Sequence, residues 1–383
     1  MHFLFFSPQY LPTPGGVERY TYNLTHQLCS LGHAVTIVTS SLPGLPSQDI
    51  AENGTKIIRI PSFSFMNGRF PIPKPGAYKY IKNHLSNTVY DFVVIQTRFY
   101  PLCILAAKYV QRYQIPTIVI EHGTKHLSLD NPLLNIAGNA YEHTAMKYVK
   151  KRCPHFYGVS KACCQWLLHF HVKASGVLYN SIDIDALLAE KASATRDMRN
   201  DLNITPGSPL IVFIGRLIKE KGIFELVDAF ASVIKKHPTA ILAIVGDGPA
   251  LSALQNKTTN QIVFCGTLSH LDILSLLSSC NIFCLPTYSE GFSSVILEAA
   301  ALKCCIATTP TGGSPELIQN SVSGFLFESK NIAELEKVLC YALENPSLCK
   351  SMGEEVYKNV AAQFSWQKTA QNLLTISAKE QSH

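Results

Sequence analysis

The 383 residues carry 33 Lys and Arg against 27 Asp and Glu, a formal net charge of +6, with 47% apolar and 16% charged residues. That balance belongs to a packed globular protein and excludes a disordered chain, and the scattered 21 Pro and 22 Gly exclude a collagen-like or low-complexity one. At roughly 150 residues per domain the length allows two or three domains.

In chain order, the opening MHFLFF has no basic flank and meets Ser7-Pro8 early, so no export signal is expected. No apolar run approaches the ~20 residues of a spanning helix. Strands are predicted at HFLFFS (from His2), AVTIVTS (from Ala34), KIIRI (from Lys56), DFVVIQ (from Asp91), PTIVIE (from Pro116), HFYGVS (from His155) and GVLYN (from Gly176). Helical stretches fall between them, most clearly Val17 to Leu31 with Gly32 placed to end it. The strands are continuous apolar runs, which predicts a parallel sheet covered by helices on both faces. A polar stretch from about Ala186 to Gly207 reads as the join to a second series: PLIVFIG (from Pro209), AILAIVG (from Ala240), QIVFCG (from Gln261), NIFCLP (from Asn281) and CCIATT (from Cys304). An amphipathic helix from Phe364 closes the chain. The fold class is therefore α/β, two Rossmann-like doubly wound parallel-sheet domains facing a cleft, with ligands expected outside the carboxyl ends of the strands.

Charge is unevenly spread. Residues 1–185 hold 17 Lys and Arg against 9 Asp and Glu, a net +8, whereas residues 186–383 hold 16 against 18, a net −2. The first domain is expected either to meet something anionic or simply to carry solvated cations. Twelve Cys with no CxxC at metal spacing read as free thiols in a reducing compartment. The N-x-T triplets at Asn23, Asn53, Asn203 and Asn256 read as chance matches without an export signal.

Four segments sit just after predicted strands. In TPGGVERY (Thr13–Tyr20), Gly15 and Gly16 allow close backbone approach before a helix start that offers N–H groups to a phosphate, although such a turn is often only a turn. In IGRLIKEKG (Ile214–Gly222), Arg216 and Lys221 could neutralise a diphosphate, or be exposed charges partly cancelled by Glu220. In PTYSEGFSSVILEAAALKC (Pro286–Cys304), Glu290 precedes a helix and Glu298 lies inside it on an apolar stretch. A carboxylate there needs a partner, either adjacent sugar hydroxyls or a cation such as Lys303. In VIEHGTKH (Val119–His126), His122 follows a strand and could hydrogen-bond or carry a proton, or be structural.

Their joint occurrence resembles the retaining glycosyltransferases of family 4 (glycosyltransferase group 1, GT-B fold) over nearly the full chain. VGDGP (Val245–Pro249), TGGSPELI (Thr311–Ile318), YNSID (Tyr179–Asp183) and SGFLF (Ser323–Phe327) are similar to that family too. The resemblance implies an acceptor domain over 1–185, a nucleotide-sugar donor domain over 186–363, and a helix over 364–383 packing back on the first domain. It further implies that Arg216 and Lys221 hold the donor diphosphate and that Glu298 binds the ribose hydroxyls. Glu290 would contact the transferred sugar with backbone N–H groups near Gly291 and Phe292. Gly15 and Gly16 would close the phosphate site, His122 would lie beside the sugar, and Gly266 would flank the base. No divalent metal and no cofactor are implied, the nucleotide-sugar being a substrate. Breaking a glycosyl–phosphate bond leaves charge on the departing diphosphate, which suits cations in this role.

The acceptor falls to the basic first domain. A helix over Tyr141 to Arg152 ends in Lys147, Lys150, Lys151 and Arg152, and a loop places Phe63, Phe65, Met66 and Phe70 near Arg69, Lys74, Lys79 and Lys82. Aromatic residues among cations suit peripheral contact with an anionic leaflet. The expected enzyme is a cytoplasmic hexosyltransferase at the inner membrane face, moving a sugar from a UDP- or GDP-sugar to a glycan or lipid-linked acceptor in polysaccharide or lipopolysaccharide synthesis. A GT-B sugar-nucleotide epimerase and a non-catalytic scaffold subunit are the alternatives; no motif accompanies the charge for nucleic acid.

Overall fold

The computed structural model describes residues 1–66, 68, 70–127, 132–257 and 259–381. The chain divides into two units, residues 1–180 with 366–383 and residues 181–365. In the first unit the strands are β1 (His2–Phe6), β2 (Ala34–Ser40), β3 (Gln48–Ile50), β4 (Lys56–Ile60), β5 (Ser62–Phe63), β6 (Ile72–Pro73), β7 (Phe92–Gln96), β8 (Thr117–Glu121), β9 (His155–Gly158) and β10 (Gly176–Val177). Eight of them form one sheet in the order β10-β9-β8-β7-β1-β2-β4-β3. Neighbours run parallel except β3, which is antiparallel to β4 and exposed throughout. Sequence patterning missed β3 because its QDI carries no apolar run, and it missed the two-residue ribbon β5-β6 for the same reason. Every residue of β7 and β8 is buried, as a central parallel strand with helices on both faces requires.

The helix Gly16–Ser30 follows β1 and stops where the N–H groups of Gly32 and His33 bond back to the carbonyls of Cys29 and Leu28. The closing helix Trp366–Gln381 belongs to this unit. Trp366 meets the edge of the Tyr20 ring at 5.2 Å, Thr369 Oγ1 donates to the Tyr179 carbonyl, and His155 Nε2 lies 2.9 Å from Glu380. Its Ala370 and Leu373 are fully buried.

The second unit contains β11 (Leu210–Ile214), β12 (Ile241–Val245), β13 (Ile262–Gly266), β14 (Ile282–Leu285), β15 (Cys305–Thr308) and β16 (Phe325–Leu326), all parallel, in the order β13-β12-β11-β14-β15-β16. This is the doubly wound order whose direction reverses between its first and fourth strands, here β11 and β14. The stretch 186–207, read from sequence as a join, instead carries the end of one helix, Ile184–Ala192, and a short one, Met198–Asp201. Asp183 and Asp197 cap their N-termini, and Arg199 ties the second to the carbonyls of Ser208 and Ser279. All twelve cysteines are free.

Leu373→Ala should lower unfolding free energy by about 2–5 kcal/mol, since it empties a fully buried site on the closing helix. Chemical denaturation measures this; a change below about 0.5 kcal/mol would mean that the helix adds little to the first unit's core.

Candidate functional site

The reversal between β11 and β14 is where a doubly wound sheet opens a crevice, and two of the four segments emerge there. After β11, a turn of 3₁₀ helix, Lys219–Lys221, presents Lys221. After β14, the chain runs through Pro286 to Glu290. Backbone contacts lock the two together. The Glu220 carbonyl accepts from Tyr288 N–H at 2.8 Å and from the Thr287 hydroxyl at 3.2 Å. Gly222 has φ +68, and a Cβ on it would lie 1.9 Å from the Pro286 carbonyl oxygen, so only glycine allows this approach. Lys221 Nζ bonds Glu290 Oε2, each side chain about one-fifth exposed. The loop after β15 closes the same place. Gly312 has φ +57 and a Cβ there would meet the carbonyl oxygens of Glu290 and Gly291 at 2.4 Å, while Gly313 N–H donates to the Gly291 carbonyl. Phe292 is buried beneath, edge-on to Phe364 at 5.1 Å.

Arg216 leaves the end of β11 exposed and, among the described residues, has no ion-pair partner. Glu298 sits on the helix Ser294–Ala301 and is 7% exposed. Lys303, the cation considered from sequence, pairs with Glu354 instead. Glu298 Oε1 lies 3.6 Å from His270 Nε2, an ion-pair distance, and His270 Nδ1 is 2.8 Å from Glu190. His270 opens a helix capped by Ser269, where a positive charge opposes the helix dipole. The two carboxylates reverse that effect: Glu298 raises the imidazole's pKa, with burial opposing and Glu190 adding to the rise. Gly266 ends β13, exposed, and its carbonyl accepts from Gly246 N–H at 2.8 Å.

The first unit holds Gly15, Gly16 and His122. Gly16 has open space where a side chain would stand, but Gly15 does not: a Cβ there would lie 2.0 Å from Glu18 Oε2. The Glu18 carboxylate therefore folds back over the helix N-terminus, buried, and burial pushes its pKa up. His122 follows β8 and sets its Nε2 2.7 Å from Gln96 Oε1, with the Tyr20 ring edge-on at 4.8 Å. Burial pushes its imidazole down to about 3, which favours the neutral form near pH 7. Its backbone N–H and that of Gly123 both donate to Glu121 Oε1.

The structure thus joins Lys221, Glu290, Gly291 and Phe292 in one place, with Arg216 at the same strand end. Sequence reasoning missed Glu18, Glu190 and His270. Glu18 lay inside a quoted motif; His270 faces Glu298 from a distant segment with Glu190 on its other nitrogen, and no local spacing signals that.

Residues 14–186 match the family described as Glycosyltransferase Family 4, and residues 194–359 match Glycosyl transferases group 1. The chain is 24% identical to an uncharacterised glycosyltransferase of Methanocaldococcus jannaschii over 381 residues, 96% of this chain and 95% of the relative. It is 30% identical over 201 residues, 50% of this chain and 52% of the relative, to the GDP-mannose-dependent monoacylated alpha-(1-6)-phosphatidylinositol monomannoside mannosyltransferase of Corynebacterium glutamicum. Its fold is similar to that of HepE from Anabaena, solved with UDP-glucose, at a TM-score of 0.77 and 18% identity, covering 99% of this chain and 100% of that one.

Because its folded-state pKa is raised, charged His270 stabilises the second unit most below the imidazole's ordinary 6.5, and this is lost as pH climbs through the raised value. His270→Gln should therefore lower the melting temperature more at about pH 5.5 than at about pH 8.5. Equal losses at both would show that the ion pairs contribute nothing.

Proposed function

This chain belongs to the group 1, family 4 glycosyltransferases of GT-B fold, and from that premise we propose a retaining, metal-independent transfer of a sugar from a UDP- or GDP-sugar to a glycan or lipid-linked acceptor. The observation that carries the donor assignment is the Lys221–Glu290 pair at the strand reversal of the second unit. A diphosphate arriving there exchanges for Glu290 as the partner of Lys221, and the released carboxylate turns to the hydroxyls of the transferred sugar. Arg216, exposed at the same strand end, takes a second phosphate contact. As the glycosyl bond lengthens, charge builds on the leaving diphosphate and both cations bind it more strongly, which is the condition for lowering the barrier. The N–H groups around Gly291 and Phe292 orient the sugar, Glu298 takes the ribose hydroxyls in exchange for His270, and Gly266 leaves room for the base. Within the first unit, the helix start at Gly15 and Gly16 can offer its backbone to an anion once Glu18 is neutral or turned away, and neutral His122 is a hydrogen-bonding group.

For the acceptor, the first unit has a hollow of about 290 Å³ at the carboxyl ends of β1, β2 and β4, lined by Tyr10, Thr13, Ser40, Ser41, Ser62 and Phe63 among others. Hydroxyls beside aromatic faces suit a sugar. The adjoining loop leaves Phe63 and Phe65 more than half exposed, with exposed Lys74 over the Phe63 ring at 5.2 Å. Arg69 lies outside the described residues. Phe70 does not join this surface: it packs against Phe99, Tyr100 and Tyr141. Exposed Leu133, Leu134 and Ile136 add apolar area on the helix Pro132–Lys150, whose last turn carries Lys147 and Lys150. Among the described residues no helix is long and apolar enough to cross a membrane. We place the protein in the cytoplasm, docked peripherally on an anionic leaflet, in polysaccharide or lipopolysaccharide synthesis. The lipid acceptor named for the Corynebacterium relative supports this reading.

Two measurements test it. Lys221→Ala and Glu298→Ala should each reduce transfer at least about tenfold, roughly 1.4 kcal/mol of barrier, with circular dichroism unchanged; full turnover in both removes the donor assignment. In sedimentation with anionic vesicles the protein should pellet at low salt and less at physiological salt, and Phe63→Ser with Phe65→Ser should weaken it further. Failure to pellet in either buffer ends the membrane assignment and leaves the donor site untouched.

A further inference from the structure

Arg98 is fully buried in the first unit, held between two carboxylates: Glu121 on one side, and Glu142 at 2.5 Å on the other. Its guanidinium lies on the face of Phe170, 4.4 Å from the ring centre. Glu142 has further work. Its Oε1 accepts from Leu127 N–H at 2.7 Å, and its Oε2 stands 3.0 Å from His126 Nδ1. A carboxylate on Nδ1 holds the proton there and leaves the lone pair on Nε2, which is how histidine ligands are oriented and made more basic at metal centres. His126 Nε2 meets a second imidazole. It is 3.1 Å from His169 Nε2, and one nitrogen from each of His126, His143 and His169 lies within 4.8 Å of the others. Tetrahedral coordination at the usual 2.0–2.1 Å bond length puts ligand nitrogens about 3.4 Å apart. The His126–His169 pair, at 3.1 Å, is only slightly closer than that spacing, and His143, exposed on the helix Pro132–Lys150, has room to complete the third side. Trp166 stacks on His169 with ring centres 4.7 Å apart and planes 6° apart, fixing the ring's plane.

We propose that His126, His143 and His169 form a binding site for one divalent transition metal of the zinc class, with water at the fourth position. Three neutral imidazoles select zinc, nickel or copper over magnesium or calcium, which demand oxygen ligands. The ion joins three separate pieces of the first unit: the loop after β8, the helix Pro132–Lys150 and the 3₁₀ turn Leu168–Phe170. It is also connected by polar contacts to His122, since His126 bonds Glu142, Glu142 bonds Arg98, Arg98 bonds Glu121, and Glu121 receives the His122 N–H. None of the three histidines is assigned to the donor, so the ion is a structural clip for the loop that bears both His122 and His126 and takes no part in the transfer.

The test uses chelator-treated full-length protein without a histidine tag, titrated with Co²⁺ and with Zn²⁺ against a chromophoric competitor. One equivalent of Co²⁺ should give the intense visible absorption of four-coordinate cobalt, and Zn²⁺ should displace it and raise the melting temperature. His143→Ala and His169→Ala, both exposed and expected to fold, should each weaken binding at least about tenfold, and Glu142→Gln should do so by about 10–100-fold through His126. Weak six-coordinate cobalt absorption, binding only at millimolar metal, or an affinity unchanged in the two alanine variants would each overturn the site.

Discussion

The ion pair between Lys221 and Glu290 is the constraint around which the ligand end of the second unit is arranged. The two residues lie 69 positions apart and come from strands on either side of the sheet's reversal. What brings them together is backbone: Gly222 against Pro286, Glu220 against Thr287 and Tyr288, Gly312 against Glu290 and Gly291. Each loop removes a freedom the next would otherwise have, so the charges need little further ordering. Both side chains are four-fifths buried, and deleting Glu290 would leave the Lys221 charge largely desolvated without its ion-pair partner. The pairing therefore neutralises two mostly buried charges at the end of the sheet, and in the proposed function it holds a cation and an anion ready for different parts of one ligand.

Much of this was legible in the chain. Runs such as LIVFI and the FVVI of β7 are apolar at every position, which only a strand covered on both faces accommodates, and the structure buries all of them. Glu290, Arg216 and Lys221 could be singled out because the end of such a strand is a definite place. Partners were not legible in the same way. Glu298 demanded one, and Lys303 was the near candidate, yet His270 fills the role from 28 residues upstream with Glu190 behind it. His126, His143 and His169 are spaced by 17 and 26 residues, which matches no local ligand pattern; only the packing of a loop, a helix and a turn makes them neighbours. Helix caps such as Asp183 and Asp197 also turned an apparent polar join into helices, because capping acts at one position and barely alters composition.

A common principle runs through the groups assigned to the donor. Lys221 is matched by Glu290, Glu298 by His270, and the helix start at Gly15 by the carboxylate of Glu18. A substrate binding there trades one charge-assisted contact for another, so the net gain on binding is small compared with the gross strength of each contact. That is favourable for catalysis. Interactions that merely tighten the ground state lower KM without raising kcat, whereas those that strengthen as the diphosphate gains charge act on the barrier itself. In the proposed reaction Lys221 gains most at that moment, because the oxygen it faces becomes a stronger acceptor than the carboxylate it released. In the same proposal Arg216, lacking an ion-pair partner among the described residues, has no such exchange to make and adds to first capture of the donor as well as to the barrier. In that reading the two cations at one strand end differ in what the donor must displace, and the difference lies in a single neighbouring glutamate.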